Sequence, residues 1–240
     1  MFFPEAQPVV SGEEVPKASP EKIANFRFKN PNDTNSLLYF AMKNAGMGTT
    51  QSVSRKLSVS ADLQDLSNYN TFIRVDFDQK ELWKLYGVTE PETIIIMDKF
   101  GNKVVQFVKN WSAEKLVGAL KAVPAFQEEK TTLLNKYLDA AREAEEKGEL
   151  KSRINNLAKI EKSGFVGFVP CDAATDQLAK IRAEANQQIE DFVKALTLDN
   201  QKPTLDSLKE LAATYGDLDD MNNKIKNAIK FVEKSGEKKS

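Results

Sequence analysis

The spacing of apolar residues changes near Pro124, and this change constrains the fold more than any other feature of the chain. Ahead of it, apolar runs of strand length alternate with short helical stretches. Leu37 to Met42 is continuously apolar and bounded by polar residues, as in a strand covered on both faces. Phe72 to Asp78 opens on an apolar pair and then alternates, as a more peripheral strand does. Between them Ser52 to Leu66 carries Val53, Leu57, Leu63 and Leu66 at helical spacing, with a break near Ser58–Ser60 and Ser60 as a cap. A strand–helix–strand of this length implies a parallel pair with a right-handed crossover. Gln79 to Tyr86 follows as a two-turn helix stopped by Gly87. Thr93 to Met97 and Val104 to Val108 are β-branched runs joined by Asp98-Lys99-Phe100-Gly101-Asn102, a turn in which Gly supplies positive φ. Ser112 then caps a helix with the stripe Leu116, Leu120 and Val123, which Pro124 is expected to end.

Beyond Pro124 every periodic segment is helical. Phe126 to Lys147 sets Leu133, Leu134, Tyr137, Leu138, Ala141 and Ala144 on one face and ends at Gly148. Glu149 to Ser163 follows and ends at Gly164, then Asp172 to Leu196, a helix opened by Pro203 and ended by Gly216, and a last one bearing Met221, Ile225, Ile229 and Val232. Glycine stops and proline starts delimit five amphipathic helices. Ile154, Leu157 and Ile160 recur as Leu205, Leu208 and Leu211, displaced by 51 residues. That echo is similar to helix–turn–helix stacking of the tetratricopeptide sort, although the diagnostic Trp, Gly and Pro pattern is missing; an irregular bundle stays open.

The chain has 240 residues, no histidine and one cysteine, Cys171. An intramolecular disulfide is therefore impossible, and so are the usual Cys/His zinc sites and the His-dependent nucleophile pairs. Residues 1–123 hold 15 basic and 14 acidic side chains, and the rest hold 19 and 21. Neither half has the basic excess of a phosphate-backbone binder, so nucleic acid is not expected as a partner. No stretch approaches the roughly 18–20 apolar residues of a membrane span. The N-terminus lacks the basic and apolar regions of a signal peptide, and Pro4, Pro8, Pro16 and Pro20 among Glu, Ser and Gly read as a flexible leader. Such a leader suits a mature chain whose export signal has been removed, which favours an extracytoplasmic compartment.

Val75 to Asp78, Leu85-Tyr86-Gly87-Val88, Thr93 to Ile96 and Asp98 to Asn102, in that order, resemble the thioredoxin superfamily over roughly the 100 residues of one domain. The resemblance implies a Cys-x-x-Cys loop after the first buried strand, at a helix N-terminus that lowers the first thiol's pKa. The matching loop here is Ala45-Gly46-Met47-Gly48, within a residue, and it holds neither thiol. The family also places a cis-proline just before the strand matching Thr93 to Met97. This chain has Glu92 there and Pro91 one position earlier, so either the loop is shifted by one or the cis bond is absent.

The expected fold class is therefore α/β plus all-α: a flexible leader (1–20), a thioredoxin-like domain (21–123), a helical bundle or short repeat (124–236) and a disordered tail (237–240). Phe165 to Pro170 is the most apolar loop, and its Phe165 and Phe168 either tuck between helices or dock a partner. Cys171 begins a helix, where a thiol can be activated, although a buried cysteine is the commoner outcome. Asp217, Asp219 and Asp220 complement a helix N-terminus and offer too few ligands for calcium.

The reading is a scaffold: a non-catalytic interaction or assembly subunit that organises a larger complex or filament. It is no enzyme and needs no cofactor or small-molecule substrate. It binds other proteins, self-association included, through Ala45, Gly46, Met47, Gly48, Glu92, Phe165 and Phe168. The competing readings are a thiol oxidoreductase working through Cys171 and a chaperone-like protein of the same superfamily.

Overall fold

The computed structural model describes residues 34–41, 60–67, 70–197 and 200–237. They divide into two compact units, with the boundary between Glu129 and Lys130. Helix predominates, alongside one small mixed sheet.

In the first unit, β1 (Asn35–Phe40) pairs in parallel with β2 (Asn70–Val75) and antiparallel with β3 (Thr93–Met97), which pairs antiparallel with β4 (Lys103–Val108). The strand order is β2-β1-β3-β4. The alternation of side chains across each strand divides the apolar residues between two faces. On one face Leu37, Tyr39, Ala41, Phe72, Ile94 and Ile96 pack with Leu63 of α1 (Ala61–Ser67) and with Leu116, Val117, Leu120 and Val123 of α3 (Ala113–Glu146). On the other, Leu38, Phe40, Ile73, Val75, Ile95 and Met97 meet Trp83 of α2 (Lys80–Leu85), Tyr86 and Val88. Helices on both faces explain why β1 and β3 read as unbroken apolar runs. Phe40 and Trp83 meet edge to face with centroids 5.4 Å apart, a geometry worth about 0.5–1.5 kcal/mol beyond its buried area.

The caps follow the sequence. Ser60 Oγ accepts the Leu63 N–H at 3.3 Å and Ser112 Oγ the Lys115 N–H at 3.3 Å. After α2 the Gly87 N–H reaches the Lys84 carbonyl and the Val88 N–H the Trp83 carbonyl, with Gly87 at φ 63°, the two bonds of a Schellman stop. Gly148, at φ 71°, repeats the pattern: its N–H bonds Glu145 and that of Glu149 bonds Ala144.

Strand β2 stops at Val75 rather than running to Asp78. The Asp76 N–H goes to Gln79 Oε1 at 2.9 Å and its carbonyl accepts Trp83 Nε1–H at 2.9 Å, so its backbone leaves the ladder. Strand β1 likewise ends at Phe40, and Met42 lies outside the described residues. Pro124 does not end its helix: α3 runs from Ala113 to Glu146 with Pro124 inside. The proline is exposed, and strong helix formers such as Ala119, Leu120, Lys121, Ala125, Glu128 and Glu129 carry the helix through it.

The second unit contains α3 from Lys130 onward, then α4 (Leu150–Lys162), α5 (Val169–Lys194), α6 (Gln201–Tyr215) and α7 (Asp219–Glu237). Helix α4 packs on α5 and α6 on α7, while α5 also meets α6 and α7. One core joins them, drawing Leu134, Leu138 and Ala141 from α3, Ile154, Leu157 and Ile160 from α4, Leu178, Ile181 and Ala185 from α5, Leu208 from α6, and Met221, Ile225 and Val232 from α7. Leu133, expected on the apolar face, is 40% exposed, because adjacent Leu134 takes the core position and a helix turns by 100° per residue. Helix α5 starts at Val169, not Asp172. Pro170 occupies its first turn, where a missing N–H costs nothing. Helix α6 starts at Gln201, ahead of Pro203. In the internal echo Ile154, Leu157 and Ile160 are all buried, whereas of the second triplet only Leu208 is and Leu205 and Leu211 are half-buried.

Candidate functional site

The first candidate surface lies at the carboxyl end of β1. Ala45, Gly46, Met47 and Gly48 lie outside the described residues, so the surface is built from what flanks them. Glu92 donates its N–H to the Phe40 carbonyl at 2.9 Å, next to the Phe40–Thr93 pair at which the β1–β3 ladder ends. Its peptide is trans, since no cis bond occurs among the described residues, and it sits in the left-handed region at φ 59°. Glu92 thus does not reproduce the cis-proline geometry that the resemblance implies. Lys109 is also left-handed, at φ 55°, just beyond Val108, which pairs with Thr93. Two left-handed residues therefore end the β3–β4 ladder together. The Lys109 ammonium bonds Glu90 at 2.7 Å, and Thr93 Oγ1 donates to the Glu90 carbonyl at 2.7 Å.

Across the sheet, Tyr39 stands opposite Arg74 on β2, and Arg74 Nε donates to Asp76 Oδ1 at 2.6 Å. Tyr39 is almost fully buried. Burial chiefly, and then the Glu92 carboxylate, push its phenol above 10.0, while the Arg74 guanidinium pulls the other way. The hydrogen bond to Glu90, seconded by that carboxylate's charge, raises the Lys109 ammonium. Opposite charges thus alternate along this edge: Asp76, Arg74, Glu92, Lys109, Glu90. Of these the sequence singled out only Glu92. The available signal for Arg74 was a lone cation in the otherwise apolar Phe72-Ile73-Arg74-Val75. The described residues of this edge offer charge and hydrogen-bonding capacity. Among the described residues no group of three or more His, Cys, Asp or Glu is set to hold a metal ion.

The second surface, in the helical unit, surrounds the start of α5. Phe165 and Phe168 meet edge to face at 5.9 Å. Phe168 is buried in the helical core and Phe165 packs against it half-buried, so both rings are turned inward. Val169 is the outward residue, 80% exposed. Cys171, two positions on, is 8% exposed within the same core. Asp219 and Asp220 begin α7, as helix-dipole complementarity requires, and Asp220 also bonds Arg182. No helix among the described residues is long and apolar enough to cross a membrane.

A solved structure named DsbH oxidoreductase is similar over 46% of this chain and 95% of its own, at 17% identity and a TM-score of 0.29. No family model matches the chain, and no curated protein does.

Proposed function

We propose that this chain is a non-catalytic protein-binding subunit, a scaffold made of a thioredoxin-like domain followed by helical hairpins. The strand order β2-β1-β3-β4, with one parallel pair, a closing β-hairpin and helices on both faces, supports the thioredoxin-like reading of the first unit. The packing of α4 on α5 and α6 on α7 supports the hairpin reading of the second. Binding is assigned to the edge around Glu92, with Ala45 to Gly48, and to the apolar start of α5.

One observation carries the non-catalytic reading: the chain's only thiol, Cys171, is buried in the helical core, and there is no histidine to serve as a base. Thiolate attack needs an ionised and accessible sulfur. Two measurements test the proposal. Turnover of a disulfide substrate is expected to stay at the background rate; turnover abolished by Cys171→Ser overturns the non-catalytic reading. In native purification followed by light scattering, the chain is expected at fixed stoichiometry with a partner or with itself. Recovery as a lone monomer overturns the scaffold.

A further inference from the structure

We draw no further inference here: the strongest candidate, the shallow groove of the helical unit lined by Leu150, Lys151, Ser152 and Asn155 at the start of α4 and by Thr214 of α6, is a helix N-terminus at which no second observation points to a ligand.

Discussion

Tyr39 shows how one residue links strand register to pH. Its place on β1 sets it between Arg74 and the Glu92 end of β3, inside the core. A phenol held above 10.0 favours the fold while it stays protonated. The unfolded chain ionises first, so the stabilisation is complete below about pH 10 and is lost as pH rises through the higher folded value. Tyr215, raised by burial and by Glu184, has the same sign, and so does Lys109 through Glu90. Urea midpoints are expected to hold steady to about pH 9 and fall beyond about pH 10, with Tyr39→Phe flattening part of the decline and Tyr39→Phe with Tyr215→Phe flattening more. Equal slopes for the wild type and Tyr39→Phe would refute this account. The sequence marked Glu92 through its position before Thr93. Nothing local marked Tyr39 as its neighbour, because that neighbourhood exists only once β1 and β3 are paired in register.

Helices and strands were the most legible level, and the misses have physical causes. Ser60, Ser112, Gly87 and Gly148 act within their own turn, so their roles could be read from a few residues. Strand β2 ended early because Gln79 and Trp83 claim the Asp76 backbone, a competition between groups that periodicity does not register. Pro124 was misread for a different reason. Its missing N–H and the clash with the carbonyl four residues earlier cost about 3 kcal/mol, which ends most helices. Here α3 spans 34 residues, and buried Leu116, Leu120 and Val123 before the proline and Leu134 and Leu138 after it anchor the helix on both sides. Pro124→Ala is therefore expected to raise the thermal midpoint, by up to about 3 kcal/mol of helix stability, with more helical signal in far-ultraviolet circular dichroism. A lower midpoint would mean that the exposed ring makes contacts stronger than the hydrogen bond it removes.

Contacts between distant segments decide whether this protein works through surfaces or through sulfur. Arg182 of α5 bonds Glu161 of α4 at 2.8 Å and Asp220 of α7 at 3.1 Å, tying three helices with one guanidinium. The carboxylates are about half exposed, so solvent weakens the tie. Arg182→Met is expected to cost about 1 kcal/mol, with a coupling to Asp220→Asn that shrinks in about 1 M salt. A coupling unchanged by salt would show that packing, not charge, holds those helices. Asp220 is legible in sequence as a dipole partner, but its cation lies 38 positions away. Cys171 poses the same problem with larger consequences. Its place near a helix start suggests an activated thiol, whereas the packed helices enclose it beside Phe168 and Ala174 in the core. A thiol-specific reagent needs access to the sulfur, and burial at 8% exposure denies it. In the folded protein Cys171 is therefore expected to label orders of magnitude more slowly than a free thiol, and to become reactive over the same urea range in which the helical signal is lost. Full labelling within seconds under native conditions would show an open, ionised sulfur and remove the physical ground for assigning this chain to binding alone.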